Sequence, residues 1–597
     1  MTVCQCACKK SEFAHNLVEL RNKMTEHGIE IIVISMQNSF GNFIDGPSDV
    51  EFLSGFSGSN GKAFISRDRA ILLVDGRYVK QAQEQTDGMT WEIKQFPDFD
   101  TVLVIAELLS DEVSGALDSS GKILGLISTS ISYKSYISTL ETSRRFSNVS
   151  VKLLSPDFLR LRQKSEVTVF LHSLVHVGES SDERIGRIRA ELKDGESLLL
   201  TDQSMIGWLF SVRLLRATKN KSIIPNCVAI IHKSDKPVLF CDLNVSSPSS
   251  SFEIKKLDEF EDVISSMLNT EVVICNYSTV SAYFVSHLQS HGFTTRDSYS
   301  KYGEFFCIKN DTEIDNQKRA AELTSVAFIK TLVFVENESG LTEIDVVDFF
   351  ENTARKLPGF VDLSFNSISA FRESTSIVHY NPRGGGNSKI CGNGLFLLDA
   401  GIHFNNATTD MTRTVFIGEI GDSDEEKRIK SIYTTVLKSV IMFSVAKFPV
   451  KVKAAAIDAI ARYEIWKSGN DYQFGTGHGV GTFGNVHEPP RISQTSASQM
   501  KRGMIVTIEP GIYEQNFGIR LENMLLVEDS DTEGFLMFET LNYIPFCRKL
   551  IDRSKLNDSE LKWISSYHKS VHDKFADYFK NDAVGLNWLR SNTSGSD

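Results

Sequence analysis

The sequence predicts an α/β chain that closes in an α+β domain, and three observations carry that prediction. Helix-like and strand-like periodicities alternate through the first half of the chain. The plan of the first 155 residues then recurs in the next stretch. The last half holds Gly-rich, strand-like segments with acids at strand ends, flanked by helical patterns.

The elements follow in chain order. Residues 13–27 read as a helix with Leu17, Leu20 and Met24 on its apolar face, leading into a strand at 29–35, with further strands at 62–66 and 69–74. Ahead of them, Cys4, Cys6 and Cys8 stand in a stretch too short to enclose a metal, read as a disordered tail. A second α/β region shows a helix at 185–192, a strand at 197–201, the apolar segment 206–210, strands at 228–232 and 237–241, and a Ser-rich loop at 246–251. It looks like a divergent copy of the first. Asn310-Asp-Thr-Glu313 then starts a helix, because Asn caps well and acids suit the first turn, and Leu323, Val326, Ile329 and Val333 mark its buried stripe. At the end, residues 557–590 read as a helical extension anchored by Trp563, Tyr567, Phe575, Tyr578 and Trp588.

Composition narrows the function. The chain has 597 residues, 41% hydrophobic and 23% charged, with 13 prolines, as expected of a globular protein of about three or four domains. A net charge of −12 argues against nucleic acid as a partner, since phosphate binding needs a basic surface. No signal-peptide core and no 18-residue apolar stretch is visible, so no membrane partner is expected. The nine cysteines are odd in number and scattered, which suits reduced thiols in the cytoplasm.

Five side chains in the last third carry the chemistry. Asp399 ends the strand-like run 394–399, and Asp410 opens the next after a polar hairpin, so the two can face each other. His478 sits among the glycines of GTGHGVG, where backbone and imidazole can approach a ligand closely. Glu509 and Glu522 stand on what look like two arms of one hairpin, each pointing inward. Any one of these acids alone would read as a turn or cap residue. Together they are buried-looking carboxylates without obvious basic partners, which are costly unless a cation is present. Four carboxylates and a neutral imidazole balance two divalent cations, and this oxygen-rich donor set suits manganese best, with cobalt, iron or zinc as alternatives. Two such ions can ionise a shared water and stabilise an oxyanion, which is hydrolytic machinery.

With the segments LLDAG, TTDMTRT, GTGHGVG, NVHEPP, IEPGIY and GIRLEN in this order, the chain resembles the pita-bread metallopeptidases, a family that includes methionine aminopeptidase, prolidase and Xaa-Pro aminopeptidase. GTGHGVGTFGNVHE and FVDLSFNSISA are most similar to the three-domain Xaa-Pro aminopeptidase P type, and FLSGFSGSNG with Asp75-Gly-Arg-Tyr78 resembles its N-terminal domain. The resemblance implies two creatinase-like N-terminal α/β domains, 1–155 and 156–309, followed by a pita-bread catalytic domain, 310–597, whose helical extension begins at about 553. It implies that Asp399 holds one metal on two oxygens, that Asp410 and Glu522 bridge, and that His478 and Glu509 bind the other. The implied reaction is release of the N-terminal residue from peptides with proline second, by attack of a metal-bridging hydroxide, with Glu509 passing a proton to the leaving nitrogen. His379 and His487 match family positions that flank the scissile bond, donate to the oxyanion and line the proline pocket. Tyr513 and Arg520 stand where groups that orient carboxylates could sit, and with His379 and His487 they form the expected substrate-binding set. Dimer formation and restricted access to the site are the implied work of the N-terminal domains.

Three departures from the family pattern bear on substrate preference. Phe474 replaces a histidine usual four residues before the ligand histidine; the stretch 37–43 lacks a usual acid; and Pro489 replaces the glycine after His-Glu, stiffening the loop beside His487. Two alternatives stay open: a prolidase-like Xaa-Pro dipeptidase, and a non-catalytic pita-bread module that binds proteins.

Overall fold

The computed structural model describes residues 2–594 apart from 37–47, 97, 116–121, 147, 160–167, 216, 219–220, 242–243, 246–249, 268–271, 298–299 and 385. The altered stretch 37–43 and most of the Ser-rich loop thus lie outside the described residues. The chain forms two compact units: Met1–Leu171, Glu179–Leu215 and Ile224–Gly303 make the first, and His172–Gly178, Arg216–Ile223 and Glu304–Asp597 the second.

The first unit holds two six-stranded sheets built on one plan. The first runs Glu92–Phe96, Ala70–Asp75, Lys62–Ile65, Ile29–Ser35, Lys122–Ile127, Val149–Leu154. The second runs Glu253–Lys255, Val238–Phe240, Val228–His232, Glu196–Leu200, Val272–Cys275, Thr294–Asp297. Outward from the strand that comes first in sequence, Ile29–Ser35 or Glu196–Leu200, each sheet has two antiparallel neighbours and then a parallel one on one side, and two parallel neighbours on the other. Matching helices follow the fifth strand of each copy, and their N-cap serines, Ser132 and Ser281, pair with one another. Tyr133 N donates to Val280 O at 2.8 Å, and Ala282 N donates to Ile131 O at 2.9 Å. Reciprocal bonds between equivalent positions are the mark of an approximate two-fold relation between the copies.

Leu17, Leu20 and Met24 are buried as their spacing requires. Their helix, however, spans Thr2–Glu26 and carries the segment of Cys4, Cys6 and Cys8 that the sequence places in a disordered tail. No proline or glycine interrupts residues 2–26, so nothing local ends the helix sooner. Within the second copy, the apolar segment at 206–210 belongs to a helix, Gln203–Leu209, capped by Asp202.

In the second unit, helix Asp311–Asn337 begins with a capping box in which Asn310 accepts from Glu313 N and the Glu313 side chain accepts from Asn310 N. It packs with helices Glu343–Ala354, Asp424–Ser444 and Ala454–Lys467 around several small sheets. The largest runs Phe448–Pro449, Phe535–Thr540, Asn523–Asp529, Ile505–Ile508, Gly477–Gly479, Glu488–Ile492. Beside it lies a three-stranded sheet, Ile368–Phe371, Gly394–Ala400, Met411–Ile417. The C-terminal extension forms helices Asp558–Phe575 and Ala583–Thr593, which bury Tyr567, Phe575 and Trp588. Tyr578 is instead half exposed: it follows the end of the first helix, and Lys330 lies over its ring. Among the described residues, no helix is long and apolar enough to cross a membrane.

Candidate metal centre

Strand register brings the acids together. Gly394–Ala400 pairs antiparallel with Met411–Ile417, Asp399 opposite Thr412 and Ala400 opposite Met411, so Asp410 comes one step beyond the ladder on the face of Asp399. Ile508 pairs with Asn523 and Gly511 with Arg520, and the same register sets Glu509 opposite Glu522 where the two ladders break. Their backbone groups are used elsewhere at that break: Glu509 N donates to Thr476 O at 2.8 Å and Glu522 N to Thr412 O at 3.1 Å. Strand Gly477–Gly479, which neighbours Ile505–Ile508 in the same sheet, adds His478.

All five predicted side chains converge. Asp399, Asp410 and Glu522 present ligand atoms within 4.8 Å of one another; so do His478, Glu509 and Glu522, and so do Asp410, His478 and His487. His478 Nε2 lies 3.4 Å from Asp410 and 3.5 Å from Glu509. Its Nδ1 stands 2.9 Å from Gly479 O, which can only accept, so Nδ1 carries a hydrogen and Nε2 is the ring nitrogen that faces the acids. Asp399, Asp410, His478 and Glu522 are buried, whereas Glu509 is half-buried.

The electrostatics favour a bound cation. Burial, followed by repulsion from Asp399 and Glu509, pushes Asp410 well above the ordinary carboxylate range; burial and the charges of Asp410, Glu509 and Asp399 do the same to Glu522. Asp399 Oδ1 and Glu522 Oε1 are buried without a hydrogen-bond donor. Orphaned carboxylate oxygens at the centre of an acid cluster, with an imidazole nitrogen beside them, fit divalent metal ions.

One sequence expectation is corrected here: the acids do have a basic partner. Arg520, buried, donates from Nη2 to Asp399 Oδ2 and from Nη1 to Tyr513 Oη and to Val378 O. Burial works against its charge, but Tyr513, Asp399, Glu509 and Glu522 more than offset that and raise its pKa. Burial pushes the Tyr513 hydroxyl up to about 12, so it stays neutral. With all four carboxylates ionised, the acids and Arg520 sum to −3, an excess of negative charge that divalent cations would offset.

Of the remaining predicted residues, His487 is exposed and lies edge to face with His478, ring centroids 4.4 Å apart. His379 is half-buried, next to Val378, whose carbonyl Arg520 holds. Phe474 packs between the rings of Tyr472 and Tyr513. No sequence expectation covers the supports beneath these five side chains. Thr412 Oγ1 donates to Glu522 Oε2 at 2.9 Å, and Arg413, fully buried, donates to Glu522 O while its other donors engage Asn523, Ile544 and, from the C-terminal extension, Tyr567. Thr476, whose carbonyl anchors Glu509, donates its hydroxyl to Asp458, which pairs with Arg462 at 2.7 Å. Thr412 and Arg413 lie inside the TTDMTRT segment, a signal that was available; Asp458 carries none.

Comparison with known proteins is consistent with this geometry. Residues 315–529 match metallopeptidase family M24, 534–595 the C-terminal region of that peptidase family, and 17–164 the creatinase/prolidase N-terminal domain. A probable Xaa-Pro aminopeptidase P of Sordaria macrospora is 30% identical, covering 97% of this chain and 98% of the relative, and one of Paracoccidioides brasiliensis is 31% identical with the same coverage. The crystal structure of X-prolyl aminopeptidase from Caenorhabditis elegans, described as a cytosolic enzyme with a di-nuclear active site, superposes with a TM-score of 0.86 at 24% identity, covering 98% of this chain and 99% of that one.

Proposed function

The chain belongs to the Xaa-Pro aminopeptidase P family of M24 metallopeptidases, and on that premise we propose that it releases the N-terminal residue from peptides whose second residue is proline. The observation that carries this reading is the convergence of Asp399, Asp410, His478, Glu509 and Glu522 around orphaned carboxylate oxygens. We assign Asp399, Asp410 and Glu522 to one divalent ion and His478, Glu509 and Glu522 to a second, with Asp410 close enough to His478 to serve both.

Two divalent ions would turn the net charge of −3 into +1 and supply the Lewis acidity that ionises a water and draws charge onto a carbonyl oxygen. The protein does the rest. Glu509 carries a proton from the nucleophile to the leaving nitrogen, a role supported by its being the most exposed of the four acids. His487, on the open side of His478, and His379, beside Val378, donate to the carbonyl oxygen as charge develops there and wall the proline pocket. A prolyl amide has no N–H, so that pocket needs shape and apolar walls more than an acceptor. Arg520 and Tyr513 hold Asp399 in place.

We further propose manganese as the resident metal, a homodimer in the cytoplasm as the working form, and domain boundaries at 155/156 and 309/310. Hydrolysis of Arg-Pro-Pro, Arg-Ala-Ala and Arg-Pro by metal-stripped protein, with and without manganese, tests the central reading. It expects arginine release from the proline tripeptide only, and only with metal. Cleavage chiefly of Arg-Pro would make the protein a prolidase, and no cleavage with any metal would leave the binding module.

A further inference from the structure

Glu343 is a fully buried carboxylate outside the metal centre, and among the described residues no cation pairs with it. It is the first residue of helix Glu343–Ala354, where the helix dipole favours an acid. That alone does not explain its burial, because a surface acid would serve the dipole equally well. Its two oxygens gather three donors from two distant segments. Oε1 accepts from Phe371 N at 2.7 Å, while Oε2 accepts from Tyr380 Oη and from Ser388 N, both at 2.6 Å.

Tyr380 is held on every side. Its hydroxyl donates to Glu343 and accepts from Asn387 N at 2.9 Å, and its ring packs with Ile368, Ala370 and Leu397. Gly386 passes so close that a Cβ there would stand 1.8 Å from the Tyr380 oxygen, and Asn387 takes a φ of 98° to turn its N–H inward. Burial and the Glu343 charge raise the pKa of the phenol, which keeps it a donor. Two residues upstream of Tyr380, Val378 is held through its carbonyl by Arg520 at 3.2 Å, and Arg520 itself binds Asp399. His379 is therefore the residue between two fixed neighbours, one tied to the metal centre and the other to Glu343.

We propose that Glu343 and Tyr380 are positioning residues that fix the backbone of His379 against the metal centre, so that its imidazole meets the reacting carbonyl in one orientation. This rests on the role given to His379 above. A carboxylate buried for three neutral donors is costly where a turn is all that is needed; a fixed reference for a histidine one residue away accounts for it.

The test is a double-mutant cycle on the manganese-loaded enzyme with Arg-Pro-Pro, using Tyr380→Phe, which keeps the ring in its apolar cluster and removes only the hydroxyl link, and His379→Ala. Tyr380→Phe is expected to lower kcat about tenfold with KM within about twofold and metal content unchanged, and to cost less than about twofold once His379 is already alanine. Glu343→Gln, which keeps one acceptor oxygen, is expected to give the same pattern should Tyr380→Phe fail to fold. Equal fold-losses in both backgrounds, lost metal, or an unchanged kcat would each overturn the proposal. A readout without turnover separates it from the functional reading: in 15N-histidine spectra of metal-free protein, the resonance missing from His379→Ala should shift or broaden in Tyr380→Phe and Glu343→Gln. An unchanged resonance overturns the positioning role even if the protein hydrolyses no peptide, whereas a changed resonance with an inactive wild type overturns the peptidase reading alone.

Discussion

Replacing Gly477 by alanine isolates how tightly the centre depends on strand spacing. A Cβ at Gly477 would lie 1.9 Å from the carbonyl oxygen of Thr507 and 2.8 Å from its carbonyl carbon. Those are backbone atoms of the neighbouring strand and cannot swing away as a side-chain tip would. Since Cβ contacts essentially never fall under 3.0 Å, the strands must part by about 1 Å. Gly477 directly precedes His478, and Thr507 stands two residues before Glu509, so the displacement separates two ligands assigned to one ion. A misplacement of about 1 Å costs on the order of 100-fold in rate, or about 2.7 kcal/mol of transition-state stabilisation. The assay is kcat/KM on Arg-Pro-Pro, with bound manganese and the far-UV circular dichroism spectrum measured on the same samples. A loss near 100-fold with weakened metal binding and a native-like spectrum is expected. Activity within about twofold of wild type, with full metal, would falsify the claim that this strand pair sets the ligand geometry.

Other perturbations test other parts of the account. Asp410→Ala or Glu522→Ala is expected to lose metal and activity while keeping the circular dichroism spectrum of the wild type; full turnover in either removes it from the ligand set. Arg520→Met takes a guanidinium from among four acids, so it should destabilise metal-free protein by about 3 kcal/mol and manganese-loaded protein much less, which chemical unfolding with and without metal will show. An equal cost in both states would mean that Arg520 does not act through the acids' charge. His568 is buried, and burial, with Arg548 and Arg413 nearby, lowers its pKa from 6.5 to about 4. Its unfolded form takes the proton first, so the stability it contributes is intact above about pH 6.5 and is lost as pH falls toward about 4, by about 3 kcal/mol in all. Metal-free wild type should lose that much more than His568→Gln between pH 7 and 4 in unfolding experiments, since glutamine can still accept from Phe546 N without titrating. Parallel pH profiles would refute the shift.

What was legible in the sequence was whatever short-range pattern decides. The strand Ile29–Ser35, the Asn310 cap and the stripe through Val326 and Ile329 follow from periodicity and capping alone. The convergence of the five side chains was legible because each sits in a motif whose strand register fixes its direction; the hairpin of Glu509 and Glu522 needed only that its two ladders share one register. Long-range contacts were not legible. Glu343 meets its partners 28, 37 and 45 residues downstream, and nothing around it marks it as more than a helix-start acid. Asp458 supports Thr476 from the face of a helix that reads as ordinary packing. The Arg520 pair with Asp399 was within reach, since residues two apart on a strand share a face and Glu522 was already placed inward. Tyr578 shows the limit of counting aromatics: the helix ends at Phe575, so Tyr578 lies beyond it and off its buried face.

The measurement that tests the central claim most directly is a manganese titration of metal-free protein, with direct metal analysis of the dialysed product. Two ions per chain in the wild type, and fewer in Asp410→Ala and Glu522→Ala, is the predicted result. One ion or none per chain, or two ions that survive both substitutions, would contradict a two-metal centre built from Asp399, Asp410, His478, Glu509 and Glu522.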